Sequence, residues 1–530
     1  MALLAPRYFV PLLIAALATL CAAVPVLRWG LILVGPALAI AIWDFFQDRH
    51  TLRRNYPLIA RMRWLFEDLR PFLRSYIVES DREGRPFTID ERSLVYARAK
   101  GDIATHPMGT ELDVYSDEYE WLSHSIAPNA DVPESWRVEI GGRDCKTPYN
   151  SSLLNISAMS FGSLSANAIA ALNKGAAMGG FAHDTGEGGI SAHHRKHGGD
   201  LIWEIGSGYF GCRLPDGGFD RDLFAQQAAD DQVKMVEIKL SQGAKPGHGG
   251  VLPGPKVTPE VAEARKITPW QSCNSPAAHS TFSTPLGLLE WVAELRRLSG
   301  GKPVGFKLCV GAPHEVMALC KAMLESDILP DFIVVDGAEG GTGAAPQELT
   351  DNVGMPLREG LILMRNALVG TNLRDRLRLG VSGKIHSGAG MARAYAMGAD
   401  WCNAARAFMF SLGCVQSMKC HTGECPTGVA TQVAWRQKGL VVADKAERVA
   451  RFHKSTLKAL NEIVVAMGLH SPWELTEHEM FQRIDSAKAG PLDEVYQFLQ
   501  PGQLLDDPAS TKYARAWSNA RADSFRKAAR

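Results

Sequence analysis

The sequence predicts an α/β protein, a (β/α)8 barrel of the TIM type with an N-terminal transmembrane hairpin and helical extensions. Three observations predict it. Eight short apolar or β-branched runs recur after residue 151, most of them ending near a glycine and followed by a stretch with helical spacing. Glycine is concentrated in the same region, with 39 of the 50 glycines in residues 151–432. Residues 8–43 carry a single charge, Arg28, in 36 positions. The expected organisation is a membrane anchor over 1–46, a connector of helices and loops over 47–150, the barrel over 151–440 and a helical extension over 441–530.

The first apolar run, Tyr8 to Leu27, reaches the roughly 20 residues that span a bilayer as a helix. The second, Leu31 to Trp43, reaches it when Trp29 and the Phe45-Phe46 pair extend it, so a helical hairpin turning at Arg28-Trp29-Gly30 is expected. Arg7 precedes the hairpin and Arg49, Arg53, Arg54, Arg61 and Arg63 follow it. The positive-inside rule then puts both ends, and the domain that follows, on the cytoplasmic side of the inner membrane. A cleaved signal peptide is one alternative, disfavoured because a second apolar run follows without delay, and a single re-entrant segment is the other.

The charges balance at 57 Lys plus Arg against 57 Asp plus Glu, which removes any electrostatic reason to expect a nucleic-acid partner. Seven of the ten cysteines are scattered singly, a pattern of small buried hydrophobes in a reducing compartment.

The predicted strands are Leu153–Met159, Gly180–Asp184, Leu201–Ile205, Val233–Ile238, Pro303–Leu308, Phe332–Val335, Leu377–Val381 and Trp401–Ala404, with a helix over Ser163–Met178 after the first. An open doubly wound sheet is the competing arrangement. Barrel enzymes place their reactive groups at the carboxyl ends of the strands. There the sequence puts Ser157–Ser163, Thr185–Gly189, Lys239–Gly247, Lys307, Asp336–Gly343, Ser382–Gly388 and Ala404–Ala407. Lysines at these ends with no evident acidic partners suggest an anionic ligand. The last two loops stand where barrels bind phosphate through backbone amides, which points to a phosphate-bearing cofactor such as FMN. Glu339 reads either as an acid/base group or as a carboxylate that fixes its loop. His193, His194 and His197 have a metal-like spacing, though a solvated loop is the preferred reading.

Cys414-x5-Cys420-x4-Cys425, with His421 inside and Pro426 after it, is the sharpest feature. Zinc would want a fourth ligand, which His421 could supply. Three thiolates with a Cys-Pro step suit an iron–sulfur cluster better, and three rather than four suit one with three irons. The remainder, 440–530, reads as helices, with Val442–Met467 amphipathic.

Cys414 to Gln432, CVQSMKCHTGECPTGVATQ, resembles the cluster loop of glutamate synthase large subunits. Glu237 to Lys256, EIKLSQGAKPGHGGVLPGPK, resembles their FMN-domain loop, and AMSFGS at 158–163, TGEGG at 185–189 and GGTGAAP at 340–346 follow in the family's order. The resemblance covers about residues 130–470. It implies a barrel that binds FMN beside a 3Fe-4S cluster and makes L-glutamate from 2-oxoglutarate and ammonia through 2-iminoglutarate.

Residue by residue, it implies Cys414, Cys420 and Cys425 as cluster ligands. Lys239, Gln242, Lys245 and Arg265 are implied to bind the dicarboxylate, with Lys245, Lys239 and Glu187 catalytic. Ala158, Met159, Ser160, Ser163, Lys307, Gly340, Gly341, Gly383, Gly388, Ala405 and Arg406 are implied around the flavin, Lys307 near its electron-rich edge. The chain departs from the family in several places. An apolar hairpin stands where the family's large subunit carries a glutaminase domain. No G-x-G-x-x-G nicotinamide fingerprint follows a strand, and the glycine-rich β-helix is missing. SGKIHSG replaces DGGLRTG, and Ala338-Glu339 replaces His-Asp. The expected partners are therefore an electron donor (a ferredoxin, a quinone or another protein), the membrane, and a separate amidotransferase subunit or further copies of the chain. An alkylamine as nitrogen source, or a non-catalytic electron-transfer subunit, are the alternatives.

Overall fold

The computed structural model describes residues 5–528, which group into two compact units, Met1–Ile89 and Asp90–Arg530. In the first unit, α1 (Pro6–Ala23) and α2 (Leu31–Phe46) form an antiparallel hairpin joined by a 3-10 turn, Pro25–Gly30. The hairpin ends meet: the Tyr8 and Phe45 rings stand 5.7 Å apart, and the Arg7 guanidinium lies 5.0 Å from the Phe45 ring centre. The segments Pro6–Ala23 and Pro25–Phe46, the second made of the 3-10 turn and α2 together, are long and apolar enough to cross a membrane, and 6% of each is buried within the protein. A third helix, α3 (Arg61–Leu73), begins at an ion pair with the foot of α2. There Arg61 Nη2 and Nε donate to Asp44 Oδ1 and Oδ2 at 2.7 and 2.8 Å.

The second unit is built on a closed barrel of eight parallel strands in chain order. These are β1 (Leu154–Ile156), β2 (His183–Asp184), β3 (Leu201–Ile205), β4 (Val233–Lys239), β5 (Val304–Leu308), β6 (Phe332–Asp336), β7 (Arg378–Ser382) and β8 (Trp401–Ala404). Every predicted run contributes one strand, two of them with the predicted bounds. β8 pairs with β1, Cys402 opposite Leu154, which closes the ring and excludes the open sheet. The strands read as continuous apolar runs because both of their faces are covered; all five residues of β3 are buried.

Helix α4 (Ala166–Gly179) follows β1, with the Ser165 hydroxyl accepting from Ala168 N at its start. It packs against the long helix α5 (Val442–Ala466) at close range, since a Cβ on Gly175 would stand 2.4 Å from Val449 Cγ1. The C-terminal region is not all helical as the sequence suggested. Met480–Arg483 pairs with Glu120–Leu122 on one side and Ala489–Pro491 on the other in a small antiparallel sheet. These strands are three or four residues long, too short for a period-2 pattern to register.

Two buried histidines tie this packing to pH. His453 of α5 stacks on Phe181 at 3.9 Å and shares a 2.9 Å hydrogen bond with the Ser152 hydroxyl, while His183 lies fully buried on β2. Burial pushes both down to about 3 from an ordinary 6.5. Between those values the unfolded chain binds a proton at each site and the folded chain does not, so stability falls as pH falls through the window. We expect thermal melts from pH 7 to 4 to show a loss approaching about 1.4 kcal/mol per pH unit for each histidine. His453→Gln should make the slope shallower by one proton; an unchanged slope in that variant would contradict the assignment.

Candidate functional site

Two connections, the loop after β2 and the segment after β4, bring the predicted charged residues together at the carboxyl ends of the strands. Glu187, in the loop after β2, lies at the centre. Lys239 Nζ stands 3.2 Å from Glu187 Oε1 and donates to Gln242 Oε1 at 2.7 Å. Lys245 and Arg265 are 4% exposed beside it. Burial alone would raise the Glu187 carboxyl, but Lys239, Arg265 and Lys245 together hold it below the usual carboxylate range. Burial pushes the Lys245 ammonium down while Glu187 pulls it up. Lys245 Nζ donates to Gly249 O at 3.1 Å. Arg265 lies over the Phe210 ring at 5.0 Å, and its buried Nε has no hydrogen-bond partner among the described residues.

Two glycines that carry no signal in the sequence make room for Glu187. A Cβ on Gly250 would stand 2.4 Å from Glu187 Oε1, and one on Gly206 2.8 Å from its Cβ. His279 is a further member that the sequence does not reveal. Its Nε2 shares a 2.9 Å hydrogen bond with Lys239 O, and burial pushes it down to about 4. Nothing in its local sequence marks it, because the contact spans 40 residues.

The expectation that strand-end lysines lack acidic partners does not hold. Lys239 meets Glu187, and Lys307 sits one layer lower inside the barrel against three buried carboxylates. Its Nζ contacts Glu204, Glu237 at 3.0 Å and Asp184 at 3.9 Å. These acids come from β2, β3 and β4, over 100 residues from Lys307 in two of the three cases, so no local pattern links them. Three acids facing one ammonium reach neutrality only when two carboxyls keep their protons. Accordingly burial and the neighbouring acids raise Asp184 and bring Glu237 up to about 7, and the acids outweigh burial to raise Lys307.

On the opposite side of the mouth, Asp336 ties three strand ends together: Gly243 N donates to its Oδ2 at 2.7 Å, and the Ser382 hydroxyl to its Oδ1. Gly243 admits no side chain, since a Cβ would lie 1.7 Å from Gly337 O. Arg406 Nη2 donates to Glu339 O at 2.7 Å, and a Cβ on Gly341 would fall 2.8 Å from Arg406 Cδ. Gly340 lies in the same turn, its N donating to Gly337 O, and Ala405 precedes the short helix that Arg406 opens. Glu339 is a loop-fixing carboxylate, accepting from Leu357 N at 3.0 Å. Gly383 has φ 152°, open to glycine. Gly388 lacks a side chain for a packing reason, since its Cβ would stand 2.6 Å from Leu460 N of α5. Ala158, Met159, Ser160 and Ser163 line the loop after β1, where a Cβ on Gly186 would come 2.7 Å from Ser160 N.

The cysteine loop is stitched to this mouth at two points. Gln432 Nε2 donates to Gly162 O and Leu164 O at 3.1 and 2.9 Å, and Lys256 Nζ donates to Cys420 O at 2.6 Å. Burial drives Cys414 up to about 12, with the Cys420 and Cys425 thiols adding to it. Burial opposes ionisation of Cys425 as well, yet the Thr427 hydroxyl and the amides of Ala430, Thr427 and Val429 hold it below the usual thiol value. His421 is exposed. Among the described residues, the only three metal-ligating groups within 4.8 Å of one another are Asp184, Glu204 and Glu237, with Lys307 against them. The sequence suggests a solvated histidine loop, and the structure departs from that at one position. His194 is buried with its ring 5.1 Å from His183, because it closes a capping box with Ser191.

The family profile described as the conserved region in glutamate synthase matches residues 137–470. The chain is 36% identical over 502 residues to the glutamate synthase large subunit-like protein YerD of Bacillus subtilis (strain 168), covering 87% of this chain and 95% of that one. It is 34% identical over 315 residues to an archaeal-type NADPH glutamate synthase of Thermotoga maritima, covering 59% of each. It is 35% identical over 334 residues to the NADPH glutamate synthase large chain of Bacillus subtilis (strain 168), of which it spans 20%.

Removing the cation from the barrel interior should cost far more than removing a surface charge. Lys307→Met leaves the three buried acids without their cation and is expected to lower unfolding stability by about 3–5 kcal/mol. Breaking the exposed Arg521–Asp523 pair should cost under about 1 kcal/mol. Urea denaturation compares the two; similar losses would refute the ionic layer as a structural element.

Proposed function

The chain belongs to the glutamate synthase family, and from that premise we propose that it is a flavin-dependent oxidoreductase that reductively aminates 2-oxoglutarate to L-glutamate through 2-iminoglutarate. The observation that carries this reading is the charge balance at the mouth. Lys239, Lys245 and Arg265 surround one carboxylate, Glu187, leaving a formal charge of +2 for a ligand with two carboxylates. The orphaned Arg265 Nε is a donor without an acceptor, as expected of a group kept for a ligand.

FMN and a 3Fe-4S cluster fit the residues present. The glycines at 341 and 383 and the amides of the loops after β6–β8 suit a phosphate-bearing flavin. Cys414, Cys420 and Cys425 suit a cluster: the ligands of a single tetrahedral zinc ion would be drawn closer together than these thiols are, and His421 is exposed. When bound, FMN supplies the hydride to the imine carbon and the cluster supplies single electrons.

The chain's own residues do the rest. Lys239 and Arg265 hold the substrate carboxylates, with Gln242 fixing the Lys239 ammonium. Lys245, its pKa lowered by burial, holds a proton at Nζ that can pass to the departing hydroxyl as the 2-oxo group becomes an imine. Glu187 stays ionised and fixes both lysines. The apolar hairpin anchors the protein in the inner membrane with the barrel on the cytoplasmic side. Electrons come from a partner protein or a quinone.

Arg265→Gln or Lys239→Met should raise the KM for 2-oxoglutarate about 10- to 100-fold, the loss of one charge-assisted contact, while flavin absorbance is kept. Cys420→Ser should abolish the cluster's electron paramagnetic resonance signal and leave FMN bound. Anaerobic turnover with an artificial reductant and either ammonia or methylamine, followed by product mass, identifies the nitrogen source. No product with either amine would sink the synthase reading.

A further inference from the structure

Helix α3 carries an exposed apolar stripe. Met62, Leu65, Phe66, Leu69, Phe72 and Leu73 recur at intervals of three, one, three, three and one, which places them on one side of a helix. All six are between 37% and 55% exposed. The opposite side carries Arg63, Glu67, Arg70 and Arg74. Over residues 47–79 seven arginines face four acids, with Arg63 paired to Glu67 and Arg74 to Glu79. The position of α3 is set by the foot of the apolar hairpin. Asp44, with a fully buried side chain, accepts both donors of Arg61 and the amide of Leu58. Its start is thereby bolted to the last turn of α2, at the level where Arg7 and Arg61 bracket the end of the span.

We propose that α3 is an in-plane membrane helix that seats its apolar stripe among the lipid headgroups and acyl chains around the hairpin, with its arginines on anionic headgroups. This rests on the reading of α1–α2 as an anchor. A helix that keeps its apolar and charged side chains on opposite sides, with enough charge to stop it from spanning and arginine on its polar side, is the kind that lies in a bilayer interface. Arginine supplies the complement to anionic lipid at the membrane surface. A second protein copy is the other occupant an apolar stripe could take, but the tether at Asp44 holds this stripe at bilayer level, where lipid covers it without a partner. In the proposed arrangement the anchor has two parts: a hairpin that fixes the chain in the membrane, and a collar that fixes its tilt.

The test uses the full-length chain in nanodiscs of phosphatidylcholine and phosphatidylglycerol, with the photocrosslinker p-benzoylphenylalanine placed singly at Phe66, Asp68 and Leu33. Leu33, on α2 and 78% exposed, reports the hairpin. Lipid adducts at 66 and 33, background at 68, and a lower yield at 66 in pure phosphatidylcholine are the expected result. Adducts at 33 with none at 66, or protein–protein crosslinks at 66, overturn the collar and leave the anchor. Adducts at 66 without any at 33 keep the interfacial helix and sink the spanning hairpin. None at either position removes both. Retained flavin absorbance in each variant shows that the barrel has folded.

Discussion

One ammonium group, Lys307 Nζ, sets the height of everything above it. It joins β5 to acids on β2, β3 and β4 in a layer that lies directly below the mouth. Asp184 is three residues before Glu187, and Glu237 two before Lys239. Fixing the acids therefore fixes where the loops that carry Glu187 and Lys239 leave the barrel. Charges so deeply buried are costly unless paired, and each member of the layer is held in place by the cost of separating it from the others. A barrel usually fills this space with branched apolar side chains. The ionic layer replaces softness with a small number of directional contacts, and the polar mouth inherits that rigidity.

The cysteine loop depends on the same frame. Gln432 clamps it to the loop after β1, and Lys256 clamps it to the loop after β4. The three thiols are thus referred to the strands that also carry the cationic site. Asp336 performs the matching task across the mouth, holding β6 and β7 to the Lys239–Gly247 loop. The site is a ring of loops cross-braced by side chains, with few of its residues free to move alone.

The barrel could be read from the sequence because parallel strands covered on both sides must be apolar nearly throughout, and that leaves a local trace. The eight runs, the helix over Ser163–Met178 and the cationic loops carry such traces. What stayed hidden depends on chain distance. The acids that meet Lys307, the His279–Lys239 contact and the clearance that Gly206 and Gly250 give Glu187 join segments 19 to 123 residues apart. Gly388 misleads for a related reason, since a glycine at a strand end can serve a ligand or a neighbouring helix, and here α5 needs the space. Glu339 has two readings until Leu357 N supplies its partner. The short C-terminal strands escape notice because three residues are too few to show alternation.

The pairing of β8 with β1 has a consequence in time. Leu154 waits unpaired on one edge until synthesis reaches Cys402, so the ring is an open, incomplete sheet for most of the chain's production. Parallel pairings at such separation form slowly. The seam is then among the last joints to close, and the cysteine loop begins ten residues beyond Ala404. Helix α5, which comes later still, lies across α4 like a strap over the finished seam. The region that seats the three cysteines is thus assembled at the point where the barrel is completed, so a ring that fails to close leaves them without a seat.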